Sequence, residues 1–353
     1  MNFTQKIKIG SKYISESSKT FIIAEIGVNH NGSISLAKKL INYAKAAGAD
    51  AVKFQLFKAE NLILKNVDKA DYQKKNHKKN QTQYEMLKNL QIDINFLKTI
   101  KKYCVLKKIE FIVTPYDEKS LDEIIKLGTS AIKVASTDTN NFKFLSKISK
   151  CKLPIIYSTG MTEMKDIEQG VRIINKFSKK LIILQCTSNY PSKNNEIHLN
   201  VISLFKKKFK CIVGFSDHTD GIGASPYAVA LGAKIIEKHF TLNKNFEGPD
   251  HKASLEPKEL KQLVKEIRNV EKYLGSSQKK VTKSEKSNQK KMQKYIVTAR
   301  KLNKHEKLTF DNLTFKRTGG IGIKSSDYKK VLNKKINRNI NIDTPLKFSY
   351  LTK

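Results

Sequence analysis

Short apolar runs rich in β-branched residues recur through the first two thirds of the chain. They read "FIIAE" (21–25), "AVKFQ" (51–55), "EFIVT" (110–114), "AIKVAS" (131–136), "PIIYST" (154–159), "LIILQCT" (181–187), "CIVGFS" (211–216) and "KIIEKH" (234–239). The runs are continuous rather than alternating, as expected of strands buried on both faces. Between them, apolar positions return at helical spacing. "SLAKKLINYAKAAG" ends in Gly48, a helix stop, and "EPKELKQLVKEIRNVEKYLG" places Pro257 in its first turn. Eight strands alternating with helices predict a (β/α)8 TIM barrel. A doubly wound open sheet is the structural alternative.

The pattern changes near residue 275. Residues 275–294, "GSSQKKVTKSEKSNQKKMQK", are polar and rich in Lys and Ser, which reads as a linker. The domain organisation is then a barrel over 1–274 and a small unit over 295–353, whose weak alternation and turn residues predict short strands. About sixty residues fold alone only marginally. The N-terminal "KIKIGSKYISESSKTF" predicts a hairpin beneath the barrel, and the long insertion 56–93 predicts a lid above it.

Composition narrows the functional classes. The chain has 353 residues, 39% of them hydrophobic, without an apolar run long enough to span a membrane. The N-terminus lacks the apolar core of a signal peptide, so a cytoplasmic location is expected. Cys104, Cys151, Cys186 and Cys211 are widely spaced and read as free, core-filling thiols. The formal net charge is +36, but only five of the 68 basic residues are Arg. Dispersed lysine without arginine argues against nucleic-acid readout. A basic surface still attracts anionic substrates.

In a TIM barrel, chemistry sits at the C-terminal strand ends. Here those ends carry Glu25, Lys53 with Gln55, Thr114, Lys133 with Ser136, Ser158 with Thr159, Thr187, Ser216 with His218, and His239. Two imidazoles on neighbouring strands suit a transition metal; backbone hydrogen bonding or acid–base work are the alternatives. Lys53 and Lys133, with Thr114, Ser136, Ser158 and Ser216, suit a phosphate or carboxylate pocket. Pairing of each lysine with a nearby Asp or Glu is the plainer possibility, and a Schiff-base role is a third.

The motifs "EIGVNHNG", "VKFQ", "YSTGM", "QCTSNYP", "GFSDHT", "EKHF" and "GPDHKASLEP" resemble the sialic acid synthase family over nearly the whole chain. "LTFKRTGGIG" resembles the signature of the antifreeze-like SAF domain. The resemblance implies condensation of phosphoenolpyruvate with N-acetylmannosamine and water to give N-acetylneuraminate and phosphate. The diacetamido-trideoxy sugar of N,N'-diacetyllegionaminate synthases is the alternative acceptor, and a 6-phosphorylated sugar a weaker one. It implies a divalent metal on His218 and His239, manganese first, with magnesium or cobalt as substitutes. It assigns phosphoenolpyruvate to Lys53, Thr114, Lys133, Ser136, Ser158 and Ser216, and the sugar or attacking water to Glu25, Gln55, Tyr190 and Asp250. It implies a domain-swapped homodimer in which Arg317 reaches the partner's site. Two departures stand out. Some relatives have Asn where this chain has Ser188, followed here by Asn189, so either could contact the phosphate. "ASTDTNN" replaces a Ser-Gly-Glu, with Asp138 standing for the Glu. Another metal-dependent barrel aldolase and a basic nucleic-acid-binding protein are the competing classes.

Overall fold

The computed structural model describes residues 2–76 and 80–352. The chain divides into two compact units, Met1–Gly275 and Ser276–Lys353.

In the first unit, β1 (Lys6–Ile9) and β2 (Lys12–Ser15) form an antiparallel hairpin. Eight strands follow: β3 (Phe21–Gly27), β4 (Ala51–Leu56), β5 (Glu110–Pro115), β6 (Ile132–Val134), β7 (Ile155–Ser158), β8 (Leu181–Cys186), β9 (Ile212–Asp217) and β10 (Ile235–His239). They pair in parallel and in chain order, and β10 closes onto β3. Closure excludes the open sheet.

Both faces of the strands are buried, which is why the runs are continuous. Outward residues such as Ile22, Val52, Phe54 and Ile183 share one core with Leu40 and Ile41 of the helix Ile34–Ala47 and with Leu97 and Ile100 of the helix Ile94–Lys107. Ser33 caps the first of these helices and Gly48 ends it in the left-handed region at φ 91°. Inward residues at the N-terminal strand ends, including Ile23, Ala51, Ile112, Ile156 and Ile235, form a second cluster with Ile7, Ile9 and Ile14 of the hairpin. The hairpin therefore plugs the bottom of the barrel, and the opposite end is left for chemistry.

The insertion after β4 folds into three short helices: Ala59–Leu62, Asp71–Asn76 and Gln83–Leu90. Thr82 and Glu85 form a capping box that starts the last of them.

In the second unit, β11 (Lys294–Thr298) pairs antiparallel with β12 (Leu313–Arg317). Isolated bridges such as Leu302–Ile340 and Ile336–Leu351 extend the β character. Ile296, Leu302, Leu308, Ile323, Val331, Ile336 and Leu346 give this unit a core of its own. The stretch read as a linker is partly ordered: Glu285–Met292 is a two-turn helix with no buried residue. Its apolar content is too low for the pattern to show a buried face. Among the described residues, no helix is long and apolar enough to cross a membrane.

Candidate active site

Strand periodicity sorts the residues at the open end of the barrel. Above the inward layer of Ile and Ala, the same faces of β3, β4, β5, β6, β9 and β10 present Glu25, Lys53, Thr114, Lys133, Ser216 and Glu237. Lys53 Nζ lies 3.0 Å from Glu25 Oε2 and 3.7 Å from Glu237 Oε2, and donates to Thr114 Oγ1 at 3.1 Å. Lys133 Nζ lies 3.6 Å from Glu237 Oε1 and donates to Val134 O at 3.0 Å. Ser216 Oγ donates to Glu237 Oε1 at 3.0 Å, and Gln55 Nε2 donates to Glu25 Oε1 at 3.0 Å. All four charged groups are buried. Ser158 Oγ, on the inner face of β7, is buried with no hydrogen-bond partner among the described residues.

The plainer reading of the lysines is thus seen directly: each pairs with a glutamate. The four groups are not equivalent, however. Burial opposes ionisation of Glu237, but Lys133 and Lys53 outweigh it and hold this carboxyl below its ordinary value. Burial, with Glu237 nearby, raises Glu25 despite Lys53. Burial also opposes the Lys53 ammonium, yet Glu237 and Glu25 hold it above its usual range. Lys133 is lowered by burial, with only partial compensation from Glu237. The two lysines share the Glu237 carboxylate, and burial disfavours the charged forms of both Glu25 and Lys133. An anion bound at this floor would favour the ammonium form of Lys133.

β9 and β10 are neighbours, and the rings of His218 and His239 at their ends have centroids 5.5 Å apart. Tyr190 covers both, 4.1 Å from His218 and 5.5 Å from His239. His218 Nδ1 lies 2.8 Å from Thr187 O. A proton on that nitrogen leaves Nε2 as the acceptor, the arrangement common behind metal-binding imidazoles. His239 Nδ1 is buried without a hydrogen-bond partner among the described residues, 3.9 Å from Asp250 Oδ2. Burial first, then His218 and the neighbouring lysines, keeps His239 neutral. Burial, reinforced by Glu25, raises Asp250 to about 6. Among the described residues, no three His, Cys, Asp or Glu side chains converge as a metal cage. Two adjacent imidazoles, one with an orphaned buried nitrogen, are donors that would suit a metal ion.

Above this floor opens a cavity of about 570 Å³. Gln55, Ser136, Ser188, Tyr190, His239 and Asp250 line it, as does Asp138. Of the doubtful pair, Ser188 faces the cavity, while Asn189 Oδ1 accepts the Tyr190 N–H at 3.2 Å. The loop carrying Asp250 is pinned by Asn29, whose Nδ2 donates to Phe240 O and to Ser254 Oγ; that hydroxyl donates to Asp250 O at 2.7 Å. Two strand-end groups turn away: Thr159 Oγ1 donates to Leu184 O and Thr187 Oγ1 to Glu196 O. Arg317 ends β12 in the second unit, on an exposed part of that strand.

Sequence reasoning missed two members. In the sequence Glu237 reads only as part of a strand, although it stands two residues before His239 and so shares its face. Cys186 was read as core filler, as Cys104 and Cys211 are. Its sulfur instead lies 3.8 Å from His218 Nδ1 and 3.5 Å from Ser136 Oγ. Burial would push this thiol up, but His218, Ser136 and Lys133 bring it down to about 7.

The NeuB family model matches residues 40–279. The chain belongs to the NeuB family. The matched span holds the barrel residues of the site except Glu25 and Asn29, which precede it. A SAF domain matches residues 293–352, the second unit. The N,N'-diacetyllegionaminic acid synthase of Campylobacter jejuni is 43% identical over 328 residues, covering 92% of this chain and 98% of that one. The protein of the same name from Legionella pneumophila is 39% identical over 356 residues, 99% of each chain. The crystal structure of the N-acetylneuraminic acid synthetase of Leptospira borgpetersenii, in complex with citrate, superposes with a TM-score of 0.73 at 33% identity, covering 81% of this chain and 96% of that one. This NeuB-family chain thus stands among the synthases of sialic and legionaminic acids, with the family match on its barrel unit and the SAF match on its second unit.

Proposed function

We propose that this protein condenses phosphoenolpyruvate with an N-acetylated amino-sugar aldehyde and water, releasing phosphate and a 2-keto sugar acid. The observation that carries the proposal is the pair of lysines sharing Glu237 beneath a sugar-sized cavity. Lys53 and Lys133 take the phosphate and carboxylate charge, and the hydroxyls of Thr114, Ser136, Ser158, Ser188 and Ser216 are positioned to orient the same groups. The enol carbon forms a bond to the aldehyde carbon, and the aldehyde oxygen gains a proton. Water then adds to the oxocarbenium-like carbon, which still carries the phosphate oxygen. Glu25 takes the proton from that water; its raised pKa, and the Gln55 amide that fixes its Oε1, suit it to this exchange. The tetrahedral centre then collapses and phosphate leaves. Holding both reactants in one cavity supplies part of the acceleration.

His218 and His239 would hold a divalent ion, manganese first, which would supply Lewis-acid polarisation of the aldehyde. Between the two acceptors, the names of the relatives at 43% and 39% identity favour the diacetamido-trideoxy sugar over N-acetylmannosamine. The proposal extends to a homodimer in which Arg317 of one chain reaches the acceptor's acyl group in the other. The deciding experiment supplies purified protein with phosphoenolpyruvate, manganese and a panel of acceptors. Stoichiometric phosphate release that chelation stops and manganese restores is expected. Phosphate release with none of the acceptors refutes the proposal.

A further inference from the structure

The two sides of the cavity differ in chemistry. The barrel and its loops contribute Gln55, Ser136, Asp138, Ser188, His239 and Asp250. The segment that opens the 56–93 insertion and the insertion itself contribute Phe57, Leu62, Ile63, Met86, Leu87 and Leu90. The insertion also lines the cavity with polar side chains, but these are largely engaged with one another. Gln83 Nε2 donates to Gln73 Oε1 at 2.9 Å, the Ala70 N–H donates to the same oxygen at 3.0 Å, and Gln73 Nε2 donates to Tyr72 Oη at 3.3 Å. What the insertion offers to a ligand is therefore apolar. Leu62, Ile63, Leu87 and Leu90 are only half-buried.

The wall is held in register with the site. Asn76 Nδ2 donates to Tyr190 O at 3.3 Å and to Pro249 O at 3.0 Å, and the Tyr72 ring lies 4.9 Å from that of Tyr190. The insertion is thus tied to the two loops that carry Tyr190 and Asp250.

We propose that this wall is the acceptor-selecting subsite: it takes the methyl-bearing substituents of a deoxy, acetamido sugar, while the barrel side takes the aldehyde and hydroxyls. The inference rests on the proposed condensation. A methyl group at sugar carbon 6 removes apolar surface from water against the leucines. A hydroxymethyl group there brings a hydroxyl against side chains that cannot hydrogen-bond to it. One such group in an apolar pocket discriminates about 10- to 200-fold.

The test compares the diacetamido-trideoxy sugar with N-acetylmannosamine, using phosphate release from phosphoenolpyruvate in the full-length wild type, Leu87→Gln and Leu90→Gln. Both positions are half-buried and Gln is a good helix former, so the Gln83–Leu90 helix should persist, with circular dichroism as the check. The expected result is a drop of about tenfold in kcat/KM for the deoxy sugar. N-acetylmannosamine should change much less or improve, and KM for phosphoenolpyruvate should not move. If the wild type does not turn over N-acetylmannosamine, its inhibition constant replaces kcat/KM in the comparison. Leu87→Ala, which removes contact without adding polarity, should weaken the deoxy sugar without helping the other. Equal losses for both sugars, or an unchanged ratio, overturn the subsite and leave the condensation standing. Absence of turnover with every acceptor in the wild type overturns both.

Discussion

Replacing Glu237 by Gln removes the one carboxylate that both buried lysines share. Its oxygens lie 3.7 Å from Lys53 Nζ and 3.6 Å from Lys133 Nζ. At an effective dielectric near 20, each such attraction is worth about 4.5 kcal/mol. Relief of the carboxylate's own desolvation returns several of the roughly 9 kcal/mol lost, so a net loss of about 3–5 kcal/mol is expected for the free protein. Gln keeps the shape and can still accept from Ser216. Loss of Glu237 should lower Lys133 further below its ordinary value, which limits the loss. An anion bound at the floor would replace the missing charge. Phosphoenolpyruvate should therefore bind the variant more tightly, with uptake of a proton, and tenfold tighter binding returns about 1.4 kcal/mol at saturation. The assay is urea denaturation of wild type and Glu237→Gln, with and without phosphoenolpyruvate, together with calorimetric titration in buffers of different ionisation enthalpy. A stability gap that phosphoenolpyruvate leaves unchanged or widens would show that the lysine floor does not receive the anion.

Lys238 and Asp217 point the other way from the histidines beside them and pair at 3.1 Å with almost no exposure. Lys238→Met should cost about 3–5 kcal/mol by removing the countercharge of buried Asp217, which keeps its hydrogen bonds from Thr219 and Ser225; Lys238→Met with Asp217→Asn should recover much of it in the same denaturation assay. His30 and His251 are both held near 4 by burial, below the usual 6.5. The unfolded chain binds more protons between those values, so stability present above pH 6.5 is lost as pH falls toward 4, by roughly 3 kcal/mol per group. His30→Phe, which retains stacking on Phe54 and Phe96, should flatten that slope. His218→Ala should abolish phosphate release while leaving the circular dichroism of the barrel intact; wild-type turnover would remove His218 from the site. Co-expression of a Lys133→Ala chain with an Arg317→Ala chain should restore activity through mixed dimers; verified mixed dimers no better than either parent would confine Arg317 to its own chain.

The barrel was legible because strands buried on two faces must be continuously apolar, and few other structures write that pattern. The hairpin expected of the N-terminal segment is present, with Ile7, Ile9 and Ile14 on one face. The strand-end rule led to Lys53, Lys133, His218 and His239 because a polar residue ending an apolar run is conspicuous. Glu237 escaped the same rule because it stands inside the run, where only the two-residue period tells inward from outward. Cys186 escaped because a buried thiol in a core and one beside an imidazole look alike in sequence. The helix Glu285–Met292 had no apolar stripe to announce it. The apolar wall of the cavity was not readable at all, since Leu62 and Leu90 are brought to one space by the fold of the insertion rather than by any spacing.

The hairpin beneath the barrel also dictates an order of events. With Ile7, Ile9 and Ile14 packed into the lower interior, that end of the barrel is closed, and the cavity lined by Gln55, Ser136 and His239 lies toward the other end. An anion bound at the lysines would then have to enter from the cavity side, through the space the proposed sugar would occupy. Under the proposed chemistry the phosphorylated substrate enters first and phosphate leaves after the sugar acid. Steady-state patterns should be ordered, with the acceptor inhibiting at high concentration when phosphoenolpyruvate is scarce, because a sugar that arrives early blocks that entry.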